Sequence, residues 1–425
     1  MVKISHILGM NGRDQLYCAL NSYQAKRYGF SKYVAKEFFK KHNIQVAQLY
    51  GIVKNAEHIR RFDWEGVHGG FAVKPSNGSA GKGVLVIKKY DHKKSVWIDV
   101  EGKQHTSDDL RFHAQNILDG QYSTWGTTPN VIIEERVPIH PDLEPYVRFG
   151  TPDVRVIVFN RIPVMAMVRL PTKASGGRAN LDQGAIALGI DMGTGKTMYG
   201  VSGKKKILRE FPETTRTTVG LQIPNWIDVL KTAVRAANAT GLQYMGADIF
   251  IHPEKGPMVA EVNAYPGLSI QLANRAGLRK RLQRIEDIEA KNVSQAVKIG
   301  QSLFAENYPI ESEGEFAVIS TKEPVEIFGK HHTTMHGTAL INTSREWSAI
   351  SFSAAEKLGL ADKNDVLWTQ YVDGETKEVV VQVKYKLHDV TKTSAMVVSK
   401  RLSTGKYIMH LGRKDLTGYF IGVSR

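Results

Sequence analysis

Two apolar runs in the middle of the chain, Gly-Ala-Asp-Ile-Phe-Ile (246–251) and Pro-Met-Val-Ala-Glu-Val-Asn (257–263), flank a short turn segment and constrain the fold more than any other stretch. They read as the two strands of a β-hairpin around His252–Gly256. Residues two apart on a strand share a face, so Glu261 and Asn263 point the same way. Folding about positions 254–255 sets Asp248 nearly opposite Glu261. Met258, Val259, Ala260 and Val262 mark a largely buried strand, which argues against an exposed hairpin with solvated acids. Like charges facing across a ladder destabilise it unless a cation lies between them. Hard oxygen ligands with open positions suit Mg²⁺ shared with phosphates. Asp248, Glu261 and Asn263 are therefore candidate metal ligands.

A second hairpin lies upstream. Val-Arg-Val-Ile-Val-Phe (154–159) and Val-Met-Ala-Met-Val-Arg-Leu (164–170) flank a turn at Asn160–Pro163. Folding there brings Arg155 near Arg169, with Asp153 placed to orient Arg155. Two facing guanidiniums call for an anion, and a triphosphate supplies one; the competing reading is a solvated basic strand pair. The Gly-rich polar loop that follows adds Arg178 and Asn180 as candidates for a transferred phosphate and an acyl substrate.

A glycine-rich loop, Lys74-Pro-Ser-Asn-Gly-Ser-Ala-Gly-Lys-Gly83, joins two strand-like runs, 71–75 and 83–89. Glycines let backbone N–H groups close around phosphate oxygens, with Ser76 and Ser79 as extra donors and the Lys74 ammonium within reach. A strand follows where a Walker loop or a Rossmann turn would have a helix. Taken alone, the loop reads equally well as a flexible hairpin connection.

The remaining organisation is coarse. A helix begins after Ser31, a good N-cap, with Val34, Phe38 and Phe39 at helical spacing and Asn43 at its end. Residues 131–137 read as a strand, 226–241 as an amphipathic helix closed by Gly241, and 286–307 as another helix. A polar segment with Pro and Gly, 306–315, reads as a linker. Beyond it come short strand-like runs separated by turn signals such as Asp373-Gly374, with only Ala354–Leu360 helical, which predicts a small all-β barrel over 316–425.

The chain has 425 residues, 42% hydrophobic and 23% charged, room for two or three domains with sizeable cores. Its formal net charge of +15 favours anionic partners without choosing among them. There is no long basic block and no aromatic-interleaved basic stripe, so specific nucleic-acid binding is not expected. The single cysteine, Cys18, rules out an internal disulfide. With no apolar leader and no run long enough to span a bilayer, a cytoplasmic protein is expected.

Taken in order, these motifs resemble the ATP-grasp superfamily, nearest the ribosomal-protein glutamate ligase (RimK-type) proteins and their "alpha-L-glutamate ligase-like" subgroup, over roughly residues 1–305. Matched position by position, Lys32 and Lys74 stand at the two ATP-binding lysines. The stretch from Ser76 to Gly83, with Gly78, Ser79 and Gly81, stands at the phosphate-covering loop. Glu134-Glu135-Arg136-Val137 matches the segment against adenine and ribose. Asp153 and Arg155 form the D-x-R pattern, Arg169 is the phosphate-binding arginine, and Asn180 the asparagine of the substrate loop. Asp248, Glu261 and Asn263 match the magnesium ligands within Glu261–Leu268, and Asn274–Gly277 adds a subgroup signature. Only a short segment precedes Lys32, where relatives carry a sizeable domain, and Asp182 stands where relatives often show histidine.

The resemblance implies an α+β ATP-grasp fold, two subdomains clasping ATP, ahead of the barrel. It implies a carboxylate–amine ligase using ATP and Mg²⁺, with Mn²⁺ as a permitted substitute. A carboxylate becomes an acyl phosphate, which an amine then attacks; glutamate or another amino acid would be added to a peptide or small acceptor. Here Arg169, Arg178 and Asn180 would act on the reacting groups. An ATP-binding pseudoenzyme or scaffold acting through the barrel is the alternative.

The segment Ala339–Ser351 resembles retropepsin-like aspartic proteases, particularly the "ATP-dependent zinc protease" group, and His410–Leu416 resembles their second motif. Asn342-Thr343-Ser344 stands where those proteases carry Asp-Thr-Gly. Asparagine cannot ionise to serve as base toward water, so the barrel is expected to be catalytically inactive and to bind a peptide. His331, His332 and His336 fit no common zinc spacing.

Overall fold

The computed structural model describes residues 3–67, 69–78, 81–122, 129–147, 149–203, 206–212, 216–305, 317–372 and 376–422. Ser79, the 306–315 segment and the Asp373-Gly374 turn lie outside the described residues. The chain divides into two compact units: residues 1–190 with 195–284, and 191–194 with 285–425.

The first unit opens with a short turn, α1 (Met10–Gly12), and two helices, α2 (Tyr23–Phe30) and α3 (Lys32–Lys41). Ser22 and Ser31 cap the two helices by accepting from Ala25 N and Val34 N. Asn43 follows α3 with a positive φ of 54°, the left-handed position that asparagine tolerates. A six-stranded antiparallel sheet then forms from β1 (Leu49–Val53), β2 (Phe71–Pro75), β3 (Leu85–Asp91), β4 (Val96–Asp99), β5 (Gln104–His105) and β6 (Val131–Glu135), in the order β1-β6-β2-β3-β4-β5. Helices α4 (Ala56–Arg61) and α5 (Ser107–Leu118) cover it. Ile59, Leu110, Ala114 and Ile117 pack with Phe71, Val73, Ile87, Trp97 and Ile133 in one core. The strand expected from residue 83 begins at Leu85, because Gly81 and Gly83 both hold positive φ and keep the preceding backbone out of the ladder.

A second, seven-stranded sheet has the order β11-β10-β9-β8-β7-β12-β13, and every pairing in it is antiparallel. Its strands are β7 (Asp153–Phe159), β8 (Ile162–Leu170), β9 (Ile186–Ile190), β10 (Thr197–Ser202), β11 (Lys206–Leu208), β12 (Tyr244–His252) and β13 (Gly256–Asn263). Every residue of β8 is buried, as expected of a central strand covered on both faces. Helix α6 (Trp226–Thr240) lies against this sheet and ends at Gly241, φ 71°. Two short helices, α7 (Ile270–Asn274) and α8 (Leu278–Gln283), complete the unit.

The second unit begins with α9 (Val293–Phe304), capped by Asn292. The sequence predicts this helix from residue 286 and within the first domain; instead it packs on barrel strands. The barrel is built from β15 (Lys322–Phe328), β16 (Thr334–Ile341), β17 (Ala349–Ser351), β19 (Thr376–Leu387), β20 (Val390–Ser399) and β21 (Met409–Leu411). The order β15-β16-β21-β17-β20-β19 closes because β15 also pairs with β19. Strand β18 (Val366–Val372) adds to β19, and a parallel pair of β14 (Ala317–Ile319) with β22 (Tyr419–Ile421) stands apart. The helix α10 (Phe352–Lys357), capped by Ser351, begins two residues earlier than expected. The fold is α+β followed by a closed six-stranded barrel. Among the described residues no helix is long and apolar enough to cross a membrane.

Candidate functional site

The first unit encloses one large cleft, a cavity of about 1780 Å³. The described candidates for nucleotide, substrate and metal all line it except Gly83: Lys32, Lys74, Ser76, Gly78, Gly81, the Glu134–Val137 segment, Asp153, Arg155, Arg169, Arg178, Asn180, Asp248, Glu261 and Asn263; the Asn274–Gly277 signature does not.

On one wall, α3 carries two lysines a turn apart, of which Lys32 lines the cleft and Lys36 lies behind it. Lys32 Nζ lies 3.2 Å from Glu261 Oε2 and donates to Gly78 O at 3.0 Å. Lys36 is buried; its Nζ lies 2.5 Å from Glu134 Oε2 and donates to Ala47 O at 3.0 Å. From the neighbouring strand Lys74 Nζ reaches Glu134 Oε1, also at 2.5 Å. Glu134 is thus a buried anion between two buried ammonium groups. Burial opposes its charge, but Lys74 and Lys36 outweigh that and hold its carboxyl below the usual range. Burial pulls Lys74 down, with Glu134 opposing. Sequence reasoning missed Lys36; its signal was the four-residue spacing from Lys32, which puts both on one helix face.

The glycine loop is tied at its first foot. Ser76 N donates to Asn130 O, and Asn130 N to Ser76 Oγ, whose hydroxyl donates to Asn77 Oδ1. Ser76 therefore anchors the loop, where the sequence reading made its hydroxyl a phosphate donor. In the Glu134–Val137 segment, Glu135 N donates to Gln48 O and Arg136 N to Gly70 O. The Glu135 carboxylate is engaged by Lys255 Nζ at 2.6 Å and by Gln48 N.

The opposite wall comes from β7, β8, β12 and β13. Asp248 pairs with Glu261 across the ladder, as folding about 254–255 predicts. The upstream hairpin differs from expectation. Its turn is the two residues Asn160 and Arg161, both left-handed (φ 47° and 64°), so Arg169 faces Asp153 and Arg155 faces Met167. The two guanidiniums do not confront each other across empty space. Arg155 forks onto both oxygens of Asp248 at 2.7 Å, and Arg169 forks onto Asp153 at 2.6 Å while also reaching Asp248 Oδ2 at 2.7 Å.

This corrects the charge argument made for the acids. Two guanidiniums supply positive charge beside Asp248 where it faces Glu261. Burial disfavours the Asp248 charge, yet Arg155 and Arg169 hold its carboxyl well below the usual range. Asp153, sharing Arg169 with Asp248, is pushed up to about 6 by burial, against the pull of Arg169. Asn263 Nδ2 lies 3.4 Å from Asp248 Oδ2 and 3.3 Å from Glu261 Oε1. One continuous chain of polar contacts therefore runs Asp153–Arg169–Asp248–Asn263–Glu261–Lys32–Gly78 across the cleft.

As a place for a divalent cation, Glu261 and Asn263 fit. Both are only half-buried, and with Nδ2 turned to carboxylates Asn263 keeps Oδ1 for a hard ion. Asp248 is less free to take part, since both its oxygens already accept from guanidinium groups, and it would have to give up part of that hold to share the ion.

The loop after β8 closes the far end. Gly177 O lies so near Gly150 that a Cβ there would come within 2.1 Å, and Arg178 Cδ lies 3.0 Å from the Cβ position of Gly81. This sets Arg178 against the glycine loop. Asn180 Oδ1 accepts from Asp182 N and caps the short turn Leu181–Gln183, so its predicted phosphate contact falls to its amide NH₂.

A comparison with curated proteins returns no match. Similar solved structures include the ATP-grasp ligase PsnB complexed with a phosphomimetic variant of minimal precursor, Mg and ADP, at 16% identity over 66% of this chain and 62% of that one, TM-score 0.34. D-alanine–D-alanine ligase from Bacillus anthracis complexed with ATP is 13% identical over 66% and 68%, TM-score 0.34. D-cycloserine synthetase DcsG is 13% identical over 64% and 70%, TM-score 0.33. The chain spans under two thirds of the PsnB chain, and overlays this loose place no residue. The description of sugar-transfer-associated ATP-grasp proteins matches residues 11–287, well over half the chain, and the protein belongs to that family.

Proposed function

We propose that this protein is an ATP- and magnesium-dependent carboxylate–amine ligase. The observation that carries the reading is the unbroken set of cations and acids spanning one cleft, from Lys32 and Lys74 to Arg169 and Glu261, in a chain of ATP-grasp family. A substrate carboxylate oxygen attacks the γ-phosphorus of ATP and ADP leaves. An amine nitrogen then attacks the acyl carbon, loses a proton, and releases phosphate. Positioning and charge neutralisation suffice for such a transfer, and no covalent nucleophile is needed from the protein.

Each residue has a distinct task in this reading. Lys74 and Lys32 hold the phosphates, Lys74 kept in place by Glu134. Arg155 and Arg169 face the transferred group and exchange part of their hold on Asp248 for it. Arg178 and the Asn180 amide orient the acyl group. Glu261 and Asn263, with Asp248, hold Mg²⁺ (Mn²⁺ in its place), which neutralises phosphate charge when bound.

The finer reading is a RimK-type, glutamate-ligase-like enzyme that adds glutamate or another amino acid to a peptide or small acceptor. The barrel is then an inactive retropepsin-like module that binds a peptide. In support, β16 and β21 run parallel with Ile341 beside Leu411, which brings Asn342-Thr343-Ser344 next to His410–Leu416. Asn342 Oδ1 accepts from Ser344 Oγ at 2.6 Å, closing a small turn with no ionisable base. The division in this proposal follows the two units, a ligase region to residue 284 and a barrel region from 285 that includes α9, with 306–315 as a linker segment.

A second reading, an ATP-binding scaffold without turnover, draws on the saturation of Asp248 by two arginines. One experiment separates them: incubate the protein with Mg-ATP and a panel of amino acids, peptides and amino sugars, and assay ADP, AMP, phosphate and product mass. ADP, phosphate and a condensed product support the ligase. AMP with pyrophosphate overturns the acyl-phosphate route, and ATP binding without turnover across the panel favours the scaffold.

A further inference from the structure

Helix α5 is a rigid platform. Thr106 and Asp109 form a capping box at its start, and Leu110, Ala114 and Ile117 are fully buried in the core beneath the first sheet. That packing turns His113 toward the second foot of the glycine loop. His113 Nε2 lies 3.0 Å from Gly83 O, and since a carbonyl only accepts, Nε2 carries the hydrogen and donates. Burial pulls the imidazole below its usual range, with the Gly83 bond opposing, so the ring is neutral near pH 7 and adds no charge to the cleft.

Tyr122, just past the end of α5, completes the contact. Gly83 sits at φ 73°, and a Cβ there would fall 2.5 Å from Tyr122 Cγ. The Tyr122 and His113 rings are 5.8 Å apart, and Tyr122 O lies 3.4 Å from the Cβ position of Gly78, whose carbonyl takes Lys32 Nζ. The Tyr122 ring thus packs on the second foot while its backbone carbonyl lies near Gly78, and one imidazole fixes the second foot by its carbonyl.

We propose that His113 and Tyr122 are positioning residues that clamp the loop at Gly83 and thereby set how the backbone of Gly81 and Lys82 meets the nucleotide's phosphates. This rests on the nucleotide-cleft reading above. Neither residue is asked to touch the nucleotide. The clamp therefore acts on the phosphate tail alone, and a loss of general structure would act on the whole nucleotide.

The test compares ATP with adenosine, which lacks phosphates, as ligands of the full chain with Mg²⁺ present, by calorimetric titration. In His113→Leu, which loses one ordering hydrogen bond, and in Tyr122→Ala, which loses the ring packed on Gly83, ATP binding is expected to weaken about five- to tenfold, with adenosine binding unchanged. His113→Gln, which keeps an N–H donor, should stay within about twofold of the parent. Unchanged ATP affinity in the Leu and Ala variants overturns the clamp, as does an equal loss for ATP and adenosine. If His113→Leu does not fold, Tyr122→Ala, at a half-buried ring, decides by the same criterion. A parent protein that binds neither ligand sinks the nucleotide reading itself; a parent that binds ATP beside unaffected variants sinks only the clamp.

Discussion

Lys36 and Glu134 form a buried ion pair, 2.5 Å from Nζ to Oε2, behind the lysines that line the cleft. Lys36 does not line the cavity, yet it shares its partner with Lys74, which does. Lys36→Met would leave Glu134 with one cation in place of two. Losing one partner of a buried pair costs about 3 kcal/mol, and urea unfolding should show a loss of that order. A midpoint unchanged from the parent would place Lys36 outside the network's energetics.

Acid should unfold the first unit partly through the same carboxylate. The folded pKa of Glu134 lies below its ordinary value of 4.5, so its stabilising effect is present above that value and is lost as pH falls. Asp248 is depressed in the same direction and adds to the loss. Glu134→Gln should lower stability at pH 7 and flatten the decline below about pH 4.5. Parallel stability–pH curves for the two proteins would contradict this.

Glu261 is the acid best placed for a test of catalysis, because its side chain is 32% exposed and not part of a core. Glu261→Ala and Arg169→Ala should each slow turnover by roughly 10²–10³-fold, as single electrostatic contacts do elsewhere. Glu261→Ala should keep the parent's Tm. Undiminished turnover in either variant counts against the proposed cleft chemistry.

Chelation of divalent ions should abolish turnover, and Mg²⁺ or Mn²⁺ should each restore it. In Asn263→Ala, the Mg²⁺ concentration for half-maximal rate should rise. A magnesium dependence that ignores both Asn263 and Glu261 would move the ion elsewhere.

Gly150→Ala should disturb the substrate loop from a distance. Its Cβ would meet Gly177 O at 2.1 Å, and its φ of 76° already disfavours any side chain. The contact must displace Gly177 and, with it, Arg178. Stability should fall by about 1–3 kcal/mol, and turnover should fall more than ATP affinity does.

Much of this cleft was legible in the sequence because hairpins carry their register in their turns. Asp248 and Glu261 follow from one short turn between apolar runs. Arg155 and Arg169 were placed on the right face but two residues off, since nothing in the pattern told a four-residue turn from the two-residue Asn160-Arg161 turn. Lys36 was hidden for a different reason. A lysine among polar neighbours reads as solvated, and only tertiary structure brings Glu134 from a distant strand to bury it. The same holds for Ser76, whose hydroxyl is taken by Asn77 and Asn130, and for Asp248, whose partners come from two other strands. In the barrel, strand content was visible but closure was not, because the pairing of β15 with β19 joins segments about sixty residues apart.

Helix α9 bears on where the chain can be cut. Its Gln295 amide donates to the carbonyls of Val366 and Leu367 on β18, the strand that lies outside the closed ring, and Gln382 of β19 donates to Ser302 Oγ. A fragment begun after residue 305 would strip those caps and leave the outlying strand as a bare template for other chains. Expressed that way the barrel should clump, whereas a start ahead of Asn292 retains its own cover.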